Sequence, residues 1–204
     1  MKHTLLVVSV LLGSATSMAT ESPKYEVLKR YDGFEVRRYA AYVVAETEVQ
    51  AERSEAGNAA FGRLAGYIFG GNSGSTKIAM TAPVTQSQRI AMTTPVTQQA
   101  SGPSTWVVQF SMPSAFTLET LPQPKDARVT LKPVPARVVA VVRYSGTWSD
   151  ANYREHLDAL VAGLTKHGLV AKGEPIWARY DPPYTPWFLR TNEIQLELVS
   201  APPQ

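Results

Sequence analysis

Two stretches of this chain say nearly the same thing: VRRYAAYVVAETEV over 36–49 and LKPVPARVVAVVRYSG over 131–146 each have a polar start and a Val-Val-Ala centre, with helical text shortly after. The elements around them repeat in the same order. Tyr25 and Val27 alternate with charges, Asp32-Gly33 marks a tight turn, Phe34–Val36 resumes, and Tyr42–Val49 forms a long strand. Ser54 and Glu55 then open a helix with Gly57, Phe61, Leu64, Ala65 and Ile68 on one face, closed by Gly70-Gly71. Trp106–Met112 reads as a further strand. After a proline-dotted connector, Pro113–Pro124, strands are expected at Val129–Val134 and Arg137–Tyr144. Ser149 or Asp150 caps a second helix with Tyr153, Leu157, Leu160, Val161 and Leu164 inward and Gly168 as its stop. Strands Pro175–Tyr180 and Glu193–Val199 complete the chain.

A half with about four strands and one helix leaves one face of its sheet bare, so two such halves have to close on one another. The expected class is α+β: duplicated strand-strand-helix-strand-strand halves in a twisted, mostly antiparallel sheet curling toward a distorted barrel, with two flanking helices. The 204 residues, 44% of them apolar, suit one domain over 20–204.

Residues 1–19 stand apart. Lys2 and His3 precede the apolar run Leu5–Leu12, and Ser17-Met18-Ala19 ends in small residues, the pattern of a secretory signal peptide. The run is too short to span a bilayer, so the expectation is an exported chain, periplasmic or extracellular, with no membrane span after cleavage. There is no cysteine, which excludes disulfides, thiolate metal sites, cysteine catalysis and covalent haem attachment. Losing Lys2 leaves 19 basic residues against 17 acidic ones, a net charge of about +2, scattered rather than striped. No nucleic-acid partner is expected.

Residues 77–100 hold a tandem motif, KIAMTAPVTQSQ then RIAMTTPVTQQA. A twelve-residue period is too short for a solenoid unit. Met80 and Met92 are soft thioether donors in principle, but Ile78 and Met80 alternate with Ala79 and Thr81 as strand residues do when one face enters a core. The preferred reading is a short strand in each copy, ended by Pro83 and Pro95.

Candidate chemistry is sparse. His156 and His167 lie eleven apart near the ends of the second helix and make no metal site together; both read as structural. No G-x-S-x-G elbow occurs. Alternation along Tyr42–Val49 sends Glu46 and Glu48 away from the core, toward water. Glu193, close to Arg190 among aromatics, is either a loop-fixing ion pair or a tuned carboxylate able to work with Tyr180 or Tyr184. The segment Arg179–Arg190 carries three prolines with Tyr180, Tyr184, Trp187 and Phe188, which form either a stiff wall for a flat apolar ligand or a loop packed on its own core. On the first helix, Ala59, Gly62 and Gly66 make a bare stripe opposite the core face, open to another backbone or to a planar ring.

Three ordered motifs converge on one family: GYIFGGN at 66–72, KIAMTAPV at 77–84 and ARYDPPYTPWFLRTNE at 178–193. The chain resembles the SOUL haem-binding proteins over about Tyr25–Leu198. That resemblance implies a duplicated α+β fold and noncovalent binding of haem or protoporphyrin between the first helix and the C-terminal loop, without a strong axial ligand. Carried onto this sequence, the cofactor-binding set is Ala59, Gly62, Arg63, Gly66, Tyr67, Tyr180, Tyr184, Trp187, Phe188 and Arg190, with no catalytic or metal-ligating residue. The helix stripe has small residues where relatives place basic and methionine side chains, so Arg63, Arg179 or Arg190 is left to meet the propionates. The function implied is non-enzymatic buffering, transport or sequestration of a porphyrin. The alternatives are a binder of another flat hydrophobic molecule, or a hydrolase using Glu193.

Overall fold

The computed structural model describes residues 21–88 and 104–203; residues 1–20 and the second copy of the tandem motif, from Arg89 with Met92 and Pro95, lie outside the described residues. Element order is β1 (Tyr25–Arg30), β2 (Glu35–Tyr39), β3 (Tyr42–Ala51), α1 (Arg53–Ile68), β4 (Val84–Gln88), β5 (Ser104–Ser111), β6 (Thr130–Val134), β7 (Arg137–Tyr144), α2 (Asp150–Lys166), β8 (Ala171–Arg179) and β9 (Asn192–Leu198). A single 3₁₀ turn, Trp187–Leu189, interrupts the loop before β9. No described helix is long and apolar enough to cross a membrane.

The nine strands form one antiparallel sheet in the order β1-β2-β7-β9-β8-β4-β5-β3-β6. Outward from the β4–β8 seam the order is β5, β3, β6 on one side and β9, β7, β2 on the other. The unit β3-α1-β4-β5 is therefore repeated as β7-α2-β8-β9. The strand preceding each unit is exchanged, β2 pairing with β7 and β6 with β3. That is the physical content of the sequence repeat. The sheet does not close into a barrel: β1 and β6 remain its edges. Lys29 and Arg30 on β1, and Lys132 and Pro133 on β6, are residues that discourage further strand pairing.

Directly opposed residues share a face. The row Ala45, Phe110, Val84, Arg179, Asn192, Tyr144 crosses six strands on the side that both helices cover. α1 buries Ala56, Ala60, Leu64, Tyr67 and Ile68 against Ala45, Val49, Trp106, Val108 and Phe110. α2 buries Tyr153, Leu160 and Leu164 against Ala140, Val142, Trp177 and Ile194. Ser149 caps α2 as expected, accepting from the Asn152 N–H. The next row, Glu46, Gln109, Thr85, Ala178, Glu193, Arg143, lies on the opposite face. Glu46 is buried there rather than facing water, since Lys132 pairs with it and the Gln109 amide donates to it at 2.9 Å.

The first tandem copy departs from expectation. No strand covers Lys77–Ala82; the strand begins after Pro83, at Val84, and the Ala82–Pro83 peptide is cis. Ile78 is buried and donates its N–H to Ile68 O, whereas Met80 is 39% exposed, so the two do not share a core face. Asn72 governs this approach, bonding Tyr67 O (3.0 Å), Thr76 O (2.7 Å) and the Thr76 N–H (2.9 Å). A Cβ on Gly71 would stand 2.6 Å from Gly66 O, so only glycine fits. β8 also starts earlier than expected, at Ala171, with a register shift between Lys172 and Ile176 that accommodates Gly173 and Pro175.

Candidate functional site

The β4–β8 seam brings three segments to one end of the sheet: the N-terminal half of α1, the Met80–Ala82 approach to β4, and the loop leaving β8. Between them lies a cleft of about 420 Å³ whose lining includes Gly57, Asn58 and Phe61 of α1, Met80, Trp148, Arg179, Tyr180 and Tyr184. Its loop wall is fixed by polar contacts. Asp181 accepts from the Thr191 N–H at 2.5 Å, and Arg190 donates to Thr185 O (2.8 Å) and Pro183 O (2.7 Å). Gly146 N–H donates to Trp187 O at 3.0 Å. The Trp148 indole N–H donates to Asn192 at 2.9 Å, and the Arg190 guanidinium lies 4.2 Å from the Trp148 ring.

Of the ten sequence-predicted residues, Tyr180 and Tyr184 line this cleft. Arg190 is used in holding the loop. Trp187 and Phe188 pair edge-to-face at 5.6 Å, more than half exposed, and are not part of the cleft wall. Ala59, Gly62 and Gly66 lie on the exposed face of α1, with open space where a Cβ on either glycine would go. Arg63 reaches back to β3, donating to Glu48 O at 2.9 Å. Tyr67 points into the core and donates to Pro122 O at 2.9 Å. The helix is thus met by the loop at its flank, at Gly57, Asn58 and Phe61, and not along the bare stripe opposite its core. Trp148 is a lining residue that sequence reasoning missed; Met80 enters that reasoning only as a strand residue and soft thioether donor, and Arg179 only as one of three arginines able to meet propionates. A charged residue at the helix-facing position of a strand, as Arg179 is beside Trp177, is the signal that marks such a site.

Glu193 lies on the other face, fully buried. Arg37 donates to both its oxygens at 3.0 Å, Arg143 to Oε1 at 3.1 and 3.2 Å, and the Tyr180 hydroxyl to Oε2 at 2.7 Å. Its charge is met by Arg37 and Arg143, not by Arg190, and it is not among the residues lining the cleft. Burial and then the Glu193 charge push the Tyr180 phenol far up, so it stays a donor. Burial opposes the Arg37 charge, but the hydrogen bonds and charge of Glu193 more than offset this and raise its pKa. A general base needs a free lone pair within reach of substrate; Glu193 offers neither. The histidines are engaged in packing: His156 stacks on Tyr144 at 4.2 Å and bonds Asn152 O, and His167 lies 4.5 Å from the Tyr31 ring.

Comparison with solved structures finds the same fold at low identity. The C-terminal domain of EcmrR superposes with a TM-score of 0.60 at 11% identity, covering 87% of this chain and 99% of that one. An uncharacterized conserved protein from Listeria innocua gives 0.59 at 10% identity, covering 89% and 94%. A hydrolase from Listeria innocua gives 0.55 at 10% identity, covering 81% and 90%. No curated protein matches the sequence. The model of the SOUL heme-binding protein family matches residues 20–197, nearly the whole chain after the leader pattern. The chain belongs to the SOUL heme-binding protein family.

Proposed function

We propose that this protein binds haem or a related porphyrin noncovalently in the cleft between α1 and the Tyr180–Arg190 loop, to buffer, carry or sequester it outside the cytoplasm. The observation that carries this reading is the cleft itself. Its volume of about 420 Å³ falls in the ~300–1,000 Å³ range of small-molecule sites. Phe61, Met80, Trp148, Tyr184 and two prolines give it an apolar wall, already stiffened before a ligand arrives. These residues fit a tetrapyrrole: flat apolar surfaces for the ring, and Met80 as a soft side chain beside it, with no histidine in the lining. Haem iron, when bound, would supply redox and ligand chemistry; the chain's own part is to enclose the ring and exclude water.

Titration of the leader-free protein with haem and with protoporphyrin tests this. A saturable Soret shift at micromolar ligand is expected; its absence for both overturns the reading. The same cleft reads shape more than metal, which favours a second reading in which another flat hydrophobic molecule is bound. Native mass spectrometry of ligand carried through purification distinguishes the two.

A further inference from the structure

Arg179 ends β8 on the helix-covered face, midway along the row that joins the α1 and α2 clusters. Across the seam its directly paired neighbour is Val84. A cation thus stands directly opposite an apolar residue on the covered face, and it is only 7% exposed. One Nη donates to Ser54 O at 3.3 Å, and the guanidinium lies 4.4 Å from the Trp177 ring and 4.5 Å from the Trp148 ring. Its Nε has no hydrogen-bond partner. Among the described residues no ion pair within 4.0 Å neutralises it.

Arg37, also a buried guanidinium, contrasts with it in having two carboxylate partners, Glu35 and Glu193. Neighbouring charges do not supply one for Arg179. Asp181 is tied to the Thr191 N–H, Glu55 attracts it only at a distance, and Arg190 adds a second positive charge over Trp148. Burial, foremost, lowers its pKa to about 10, so it is still charged at neutral pH. α1 is cut away beside it: a Cβ on Gly57 would meet Nη1 at 3.0 Å. Arginine presents planar donors that match a carboxylate, and flanking aromatic rings hold that plane and keep water off it.

We infer that Arg179 anchors an acidic group of the ligand, a carboxylate entering the cleft beside Gly57 and Tyr180. This rests on the cleft-binding reading and sharpens it, since it requires the flat ligand to be an acid.

Protoporphyrin IX and its dimethyl ester, which share the ring and differ in charge, provide the test. The wild-type protein is expected to bind the acid roughly 10- to 100-fold more tightly than the ester. Arg179→Met should abolish that preference, bringing the acid down to the affinity of the ester. Equal binding of acid and ester by the wild type, or a preference that survives Arg179→Met, overturns the anchor. A merely structural arginine would weaken both ligands alike in the variant. Should Arg179→Met fail to fold, Arg179→Lys keeps the charge without the planar fork, and the preference should shrink several-fold; an unchanged preference counts against the anchor. If neither porphyrin binds, the tetrapyrrole reading fails, and benzoate against benzamide decides the anchor alone. Perturbation of the indole NMR signals by benzoate only, on the order of tens of millimolar and dependent on Arg179, sustains it, and its absence overturns it.

Discussion

The hydroxyl of Tyr180 donates to Glu193 across 2.7 Å, joining the wall of the cleft to a buried ion cluster on the opposite side of the sheet. Glu193 has enough donors without it, because Arg37 binds both oxygens and Arg143 binds one. Tyr180→Phe removes one charge-assisted bond and should cost about 1.5–3 kcal/mol. Arg37→Met removes the fully buried partner of a fully buried carboxylate and should cost about 3–5 kcal/mol. Urea unfolding of both variants checks the order; an Arg37→Met loss smaller than that of Tyr180→Phe would show that Glu193 is not held chiefly by Arg37.

Buried phenols set the alkaline limit of stability. Burial, then the charge of Glu193, pushes Tyr39 up to about 12, and burial pushes Tyr153 up to about 12. A folded-state pKa above the unfolded one favours the neutral form. That contribution is complete below about pH 10, the unfolded value, and is lost as pH rises through about 12. Melting temperature should therefore hold steady with respect to these groups up to about pH 10 and fall above it, with Tyr39 and Tyr153 ionising only together with unfolding. Tyrosinate absorbance of the folded protein at the ordinary phenol pH that is lost in Tyr39→Phe or Tyr153→Phe would contradict the burial of these rings.

The arrangement of elements was legible in the sequence because it is written twice. Arg137–Tyr144 was placed to the residue, and Ser149 and Gly168 bracket α2 as their side chain and positive φ require. What was not legible depends on contacts between segments distant in sequence. Periodicity tells which α1 residues oppose the core, Ala59, Gly62 and Gly66, but not which flank the C-terminal loop meets. That is decided by the β4–β8 pairing, a contact between residues more than ninety apart. Met80 departs from strand alternation for a similar reason: Asn72 and Pro83 impose a non-strand path on a segment whose residue pattern still alternates.

Aromatic residues near the cleft should separate into two groups. Phe61 and Tyr184 line it, whereas Trp187 and Phe188 do not. Phe61→Ala and Tyr184→Ala should each weaken porphyrin binding by roughly 3- to 30-fold, the loss of one aromatic contact face, while Trp187→Ala and Phe188→Ala should change it by less than about twofold. Tyr184 is 85% exposed, so its removal should scarcely affect stability, and its binding loss is the cleaner of the two readouts. The reverse ranking in a Soret titration would move the site to the outer surface of the loop.

The bare stripe of α1 gives the most direct comparison of the two possible faces. A Cβ at Gly62 or Gly66 meets nothing within 4 Å, and neither glycine has a positive φ, so alanine fits without strain. Each Gly→Ala change in a helix interior removes unfolded-chain freedom and should stabilise by about 0.5–1 kcal/mol. If the ligand lay against this stripe, two added methyl groups would hold a planar ring away from the helix and binding would fall. With the ligand at the Gly57–Phe61 flank, the double variant should melt higher and bind porphyrin with unchanged affinity. Gly57→Ala is the counterpart on the proposed face: its Cβ would press on the Arg179 guanidinium at 3.0 Å, so binding of an acidic porphyrin should weaken there and not at Gly62 or Gly66. Weaker binding in the Gly62/Gly66 double variant would return the site to the stripe.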